Sequence, residues 1–356
     1  MPTTLLVSRR SIRYRGKTRA EVAKKLTTAL HDHQSGLPLP DERLTIEKFL
    51  LQWLDEVAKP TIRASTFEGY VRKIKQHVLP YIGRKALAKL SLRDLSSLYS
   101  KLLDCDLSPS TVQYVHAILH RALDQAERWK LVVRKPADLV DAPRPVHHDV
   151  KALSPAQVSK LIAAPSGERL EALYVVAVTS GLRLGELLAL RWSDFDAEAA
   201  TLHIRRSLGR TKENGLALTE PKTQKGRRAV VLPGLAVDAL RPRRGRQHEE
   251  MMKVRDVWDN GDLLFPNEIG KPIERQNLIR RSFKKLLAKA ELPDVRFHDL
   301  RHTAATLLLS LGEHPKVVQE RLGHATIAVT MDIYSHLMPD MQRDAATKID
   351  RMLATL

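Results

Sequence analysis

The sequence predicts a mainly α-helical protein, a small helical domain followed by a larger α+β domain with a small antiparallel sheet. Three observations predict this. From Leu44 to about Lys135 the apolar residues recur at helical spacing. In "TLHIRRSL", "GLALTE" and "RRAVVLP" the period falls to two, as in three short strands of one sheet. From Arg275 onward the helical period returns. Two proline-punctuated polar stretches, "SGLPLPDE" and "RKPADLVDAPRPVHHDVK", read as linkers. The expected units are a short basic segment over 1–40, a helical domain over 43–140, a linker over 141–152 and the larger domain over 153–356.

The elements follow in order. The opening is strongly basic to about Lys25, and Val22, Leu26, Ala29 and Leu30 recur at helical spacing. It is too short for a core of its own. "LTIEKFLLQWLDEVA" is amphipathic. Ser65 and Glu68 have the spacing of a capping box for the next helix, which ends at Gly83. Ser91 opens another. Ser108 and Pro109 open a long helix with Val112, Val115, Ile118, Leu119, Ala122 and Ala126 on one stripe. These apolar faces are core, and the Lys and Arg side chains of this domain would carry any phosphate contacts. Ser154 and Pro155 restart a helix as N-cap and first-turn proline. "LLFP" is a further short-strand candidate.

Charge narrows the function. Among 356 residues, Lys plus Arg number 59 against 41 acids, a net charge of +18. Such a surface releases counterions from a phosphate backbone. The basic residues are spread along the chain, which fits an extended polyanion better than a local lipid patch. The single cysteine, Cys105, excludes an intramolecular disulfide and a cysteine-rich metal site, and points to a reducing, cytosolic compartment. The first twenty residues hold no long apolar region, so no secretory leader is expected, and no run approaches the length of a membrane span.

Four segments carry chemistry. "HDLRHTAATLLLS" places His298 and His302 four apart, almost the pattern of a zinc peptidase. Its acid, however, is Asp299, and Arg301 shares the face of His298. A guanidinium beside a divalent cation is electrostatically wrong, whereas beside a phosphate it is right. A structural role for buried histidines stays open, and for His302 it is favoured. "TSGLRLGELLALRW" puts Arg183 in a turn between Gly181 and Gly185, with Glu186 placed to fix its direction; a solvated arginine in an ordinary helical turn is the alternative. In "PKTQKG", Lys222 is either a gatekeeper on an exposed hairpin edge or a mobile proton donor. "ERLGHATIAVTMDIYSHLMP" ends a helix at Gly323 and His324, with Tyr334 ten residues beyond the histidine. A lone tyrosine of this kind is usually a packing residue.

Taken together and in order, these segments resemble the tyrosine recombinases, and within them the phage integrases. The family's catalytic set is an arginine in a "TGLRxGE" segment, a hairpin lysine, an "HxLR" pair, a "GH" histidine and a tyrosine. Arg183, Lys222, His298 with Arg301, His324 and Tyr334 match it here. The resemblance covers about residues 43 to 356. It implies a C-shaped clamp of two domains on duplex DNA, with four protomers in the synapse. It also implies phosphoryl transfer without metal, ATP or other cofactor. In that reaction Tyr334 attacks a phosphodiester and leaves a 3′-phosphotyrosine and a free 5′-hydroxyl. Arg183 and Arg301 would hold the nonbridging oxygens, and Lys222 would protonate the leaving oxygen. His298 would manage the proton at the nucleophile, His324 would bond the phosphate, and Glu186 would orient the site.

Further expectations follow. "DMQRDAATKIDRMLATL" carries Ile349, Met352 and Leu353 on one stripe, as a tail for docking on a neighbouring protomer or for packing on its own domain. "SIRYRGKTRAEVAKKL" resembles only the end of an arm-binding domain, so accessory-site binding is in doubt. The implied setting is double-stranded attachment sites in a bacterial host cytosol, with a host DNA-bending protein and an excisionase as partners. A Xer-like or transposon recombinase shares the chemistry. A type IB topoisomerase fits the size and flanks less well, and a non-catalytic DNA-binding regulator would not need all six residues.

Overall fold

The computed structural model describes residues 18–23, 27, 43–133, 135–145, 151–211, 215–219, 226–328, 330–331, 346–347 and 349–354. The chain divides into two units, Met1–His147 and His148–Leu356. Among the described residues no helix is long and apolar enough to cross a membrane.

Among the described residues of the first unit, the regular elements are all helices. Helix α1 (Ile46–Trp53) is capped by Thr45, whose side chain accepts from the Lys48 amide. It runs on through a π-helical turn, Leu54–Ala58, into Lys59–Thr61. Helix α2 (Ala64–His77) does not start on the expected capping box. Its N-cap is Arg63, in extended geometry and without a side-chain cap, so Ser65 and Glu68 fall inside the helix. The predicted single helix to Gly83 also breaks at Val78, where α3 (Leu79–Ile82) begins with Pro80 in its first turn. A proline is tolerated there because a first-turn amide has no intrahelical acceptor. Helix α4 (Leu92–Asp104) carries a true capping box between Ser91 and Asp94. Helix α5 (Pro109–Arg128) is capped by Ser108, and every residue of its predicted stripe is buried. Phe49, Trp53, Ile74, Leu95, Val112 and Val115 close the core, with Trp53 stacked on Tyr70.

The second unit is built round one helix. Helix α6 (Pro155–Ala163) starts with a capping box between Ser154 and Gln157. Helix α7 (Glu171–Ser180) is buried at every residue from Ala172 to Val178, so it is a core element with no polar face there. A single-turn helix α8 (Leu184–Leu187) follows.

The strands are β1 (Phe195–Asp196), β2 (Thr201–Ile204), β3 (Ser207–Thr211), β4 (Gly215–Thr219) and β5 (Arg228–Val231). They form two antiparallel sheets, β1-β2-β5 and β3-β4, where the sequence predicts one. The segment "TLHIRRSL" divides at Arg205 and Arg206. Both form ion pairs with buried Asp194, which draws the chain out of the first sheet. "LLFP" is not a strand. Leu263, Leu264 and Phe265 are buried, but only single bridges, Arg191 with Leu263 and Pro266 with Pro272, hold the segment.

Helix α9 (Gly234–Lys253) has no counterpart in the sequence reading. Pro242 lies inside it, and Gly234 and Gly245 also punctuate the segment. Helix α10 (Lys284–Lys289) continues a π-helical turn, Leu278–Phe283. Helices α11 (Asp299–Ser310) and α12 (Pro315–Leu322) complete the unit. Helix α7 packs on α9 and α11, α11 on α12, α12 on β5, and α8 on β3. These contacts bring the ends of α7, α11 and α12 to one place.

Candidate catalytic site

Gly181 makes that meeting point possible. It ends α7 in the left-handed region, at φ 65°. A Cβ there would lie 2.4 Å from Leu322 Cδ2 and 3.1 Å from Ala304 Cβ, so only glycine lets α7 end against α11 and α12. Its carbonyl is then free to accept a bond from Arg301 Nη1 at 2.9 Å. Gly185 serves the next turn in the same way. A Cβ on it would meet Ser207 Oγ at 2.7 Å and the Leu208 carbonyl at 2.9 Å, which would push α8 off β3.

Arg183 is the N-cap of α8, in extended geometry. Its amide donates to Glu186 Oε2 at 3.1 Å and its Nη1 to Glu186 Oε1 at 2.9 Å. Its Nη2 donates to the Gly323 carbonyl at 2.9 Å. The side chain keeps 42% of its exposure, so it remains accessible from solvent. Glu186 is buried. Burial alone would raise its pKa, but the bond and charge of Arg228, then those of Arg183, hold its carboxyl below the usual range.

Arg301, on α11, is 3% exposed. One of its nitrogens, Nη2, is buried and makes no hydrogen bond among the described residues. Burial first, then the neighbouring charge of Arg183, pulls its pKa down to about 9. A guanidinium does not shed its proton at neutral pH, so Arg301 is a buried charge that Glu186 offsets only in part and that an anion would relieve.

Three imidazoles surround this pair. His298 caps α11 and is solvent-exposed, and its ring meets that of His302 edge-on at 5.0 Å between centroids. Partial burial, with the charges of His302 and Arg301, lowers His298 to about 4. His302 is lowered chiefly by burial, and its Nδ1 is buried without a partner among the described residues. His324 follows Gly323, the left-handed cap of α12. Its Nδ1 lies 2.9 Å from Thr330 Oγ1. Burial, then Arg301 and Arg183, lowers it to about 3.

Thus Arg183, Glu186, His298, Arg301, His302 and His324 converge, whereas Lys222 and Tyr334 lie outside the described residues. Sequence reasoning missed Arg228 and Thr330. Arg228 donates from Nη2 to Glu186 Oε2 at 2.9 Å. The signal for it was available: on β5 the buried Val230 sets the inward phase, and Arg228 shares that phase. Beside it an open cavity of about 620 Å³ is lined by His203, Arg205, Arg206, Arg227 and Arg228.

The neutral imidazoles predict a pH dependence. In the unfolded chain a histidine takes up its proton near 6.5; in the folded unit His298 does so only near 4 and His324 near 3. Below about pH 6.5 the unfolded state therefore binds more protons, and stability falls with pH; above about pH 7 these groups contribute no slope. A melting midpoint that drops by several degrees between about pH 7 and pH 5, in scanning calorimetry without DNA, is expected. A flat midpoint over that range would show that the imidazoles titrate normally.

With this geometry in place, comparisons with known proteins give a consistent picture. Residues 151–341 match the family model described as Phage integrase family, and residues 45–103 match the Phage integrase, N-terminal SAM-like domain. The chain is 29% identical to a "Tyrosine recombinase XerC-like" protein of Caldanaerobacter subterraneus subsp. tengcongensis, over 94% of this chain and 90% of the relative. It is 26% identical to an integrase of Saccharopolyspora erythraea, over 94% and 88% respectively. Among solved structures, the Tn1549 transposon integrase in complex with a circular intermediate DNA superposes with a TM-score of 0.69 at 22% identity, covering 84% of this chain and 99% of that one. The lambda integrase tetramer bound to a Holliday junction gives 0.60 at 17% identity, covering 89% and 87%.

Proposed function

The chain belongs to the phage integrase family of tyrosine recombinases, and from that premise we propose how its own residues carry out the reaction. It is a site-specific recombinase, an enzyme that cleaves and rejoins DNA. Arg183 and Arg301 bind the two nonbridging oxygens of the scissile phosphate. The Tyr334 phenol oxygen attacks phosphorus as the bond to the 5′-oxygen breaks. His298, neutral before DNA binds, accepts the phenol proton, and Lys222 supplies one to the leaving 5′-oxygen. His324, oriented by Thr330, donates to the phosphate. Glu186 fixes Arg183, and His302 packs against His298. Reversal, with a 5′-hydroxyl of the partner strand as nucleophile, rejoins the DNA. The bond energy stays in the phosphotyrosine ester, so the cycle consumes no nucleotide.

One observation carries this reading: a buried guanidinium nitrogen on Arg301, without a partner among the described residues, beside a second, accessible arginine whose carboxylate is shared with Arg228. The pocket's unbalanced charge is positive, and its fork-shaped donors suit the equatorial oxygens of a pentacoordinate, dianion-like transition state.

The substrate is duplex DNA at attachment sites, and the biological result is integration of a mobile element, in line with the integrases among its relatives. The basic cavity beside Arg228 suits flanking phosphates. Four copies assemble in the synapse, as in the lambda integrase tetramer. The C-terminal stripe supports docking on a neighbour over packing at home, since Ile349, Met352 and Leu353 are 54%, 63% and 57% exposed. A host DNA-bending protein and an excisionase would set direction, and the reaction takes place on DNA in the bacterial cytosol. The test uses a core-site duplex nicked near the crossover, which loses its leaving strand after cleavage. A covalent protein–DNA adduct that survives denaturation is expected. Shifted complexes that never become covalent would reduce the protein to a DNA binder.

A further inference from the structure

Glu186 is clasped from two sides, and only one arm belongs to the family's catalytic set. Arg183 Nη1 donates to Oε1, while Oε2 accepts from Arg228 Nη2 and from the Arg183 amide. The Arg228 side chain is only 8% exposed. Its other donors also go to protein acceptors: Nε to the Arg321 carbonyl at 2.7 Å and Nη1 to the Gly226 carbonyl at 3.2 Å. Arg228 therefore reaches the site through Glu186 and through the last turn of α12, two residues before the Gly323 carbonyl that holds Arg183 Nη2.

The arrangement has a chemical consequence. A carboxylate facing a guanidinium prefers the bidentate fork, with two parallel bonds. Were Oε2 held by the Arg183 amide alone, Glu186 could turn to close that fork on the Arg183 guanidinium and occupy the donors that a phosphate needs. Arg228 removes Oε2 from that competition. It also supplies the positive charge that lets Glu186 stay ionised while buried.

We propose that Arg228 is a positioning residue of the recombination site: it limits Glu186 to a one-point contact with the Arg183 guanidinium, so that Arg183 presents its remaining side-chain donors to the scissile phosphate. The inference rests on the reading of the site given above. It assigns Arg228 no contact with DNA.

The test is a double-mutant cycle on the nicked core-site duplex, with the rate of covalent adduct formation measured in a single turnover. Arg228→Met keeps the bulk and removes the donors; Arg228→Lys keeps the charge. Arg228→Met is expected to slow cleavage by about 10- to 100-fold, the cost of a misplaced phosphate ligand. DNA binding in a mobility shift should stay within about threefold, a range set by phosphate contacts elsewhere. Arg228→Lys should recover most of the loss. In a Glu186→Gln background, where no anionic fork can form, adding Arg228→Met should cost little more. Losses that multiply in the double variant, or an unslowed Arg228→Met, would overturn the inference. Should Arg228→Met fail to fold, the same cycle is run with Arg228→Gln, which keeps polar bulk without the charge: slowing that disappears in the Glu186→Gln background supports the inference, and slowing that persists there overturns it. A wild-type protein that forms no adduct would instead sink the underlying reading of the site.

Discussion

Tyr334→Phe is expected to bind core-site DNA as the unaltered protein does and to form no covalent adduct at all. The substitution removes one oxygen atom and keeps the ring, so packing and charge are unchanged. The only loss is the oxygen proposed as the nucleophile. Water can take its place only without the proximity advantage of a tethered phenol, which is worth many powers of ten. The assay is the nicked duplex on a denaturing gel, with a mobility shift run in parallel. Residual adduct in the variant would mean that another residue attacks the phosphorus, and Tyr334 would revert to a packing residue.

Arg301→Ala is expected to lower the single-turnover cleavage rate by roughly 10²- to 10³-fold, the usual cost of removing one preorganised donor from a charge-stabilising pocket. Arg301→Lys should recover little of this. Lysine offers a point charge, whereas the donor of Arg301 on the Gly181 carbonyl and the buried Nη2 need a planar fork spanning both. Stability should move the other way. The wild-type guanidinium is buried, has no carboxylate in direct contact among the described residues, and is pressed by Arg183. Arg301→Met, which fills the space without the charge, should therefore melt at the wild-type temperature or above while being as slow as the alanine variant. A melting midpoint that falls with activity would place Arg301 among the scaffold residues instead.

The sequence made much of this legible, for physical reasons that differ from place to place. Helix starts at Ser91, Ser108 and Ser154 are local: the capping side chain and the amide it meets lie within three residues, so the pattern alone reports them. Ser65 and Glu68 carry the same pattern, yet the helix begins before them, because Arg63, extended after Ile62, already takes the N-cap position and its carbonyl accepts from the Thr66 and Phe67 amides. Helix α9 was hidden by Pro242, which forfeits an intrahelical bond that the packing of Ala236, Val237 and Leu240 against the core offsets.

The site divides in the same manner. Arg183, His298, Arg301 and His324 announce themselves through their neighbours, because the glycines and the adjoining helix ends that aim them are adjacent in sequence. Arg228 shows locally only its inward phase on β5; its contacts, with Glu186, 42 residues away, and with the Arg321 carbonyl, 93 away, are not local. The split of the strands into two sheets was equally illegible, resting on the distant Asp194 that captures Arg205 and Arg206.

The claim on which the rest depends is that the two guanidiniums neutralise charge on the scissile phosphate. The direct measurement replaces one nonbridging oxygen of that phosphate with a methyl group, which removes its negative charge, and compares cleavage by the wild type and by Arg301→Ala. On the methylphosphonate the variant should regain most of its lost rate, closing the roughly 10²- to 10³-fold gap to within about tenfold. An Arg301→Ala variant that lags the wild type as badly on the neutral substrate as on the charged one would contradict it.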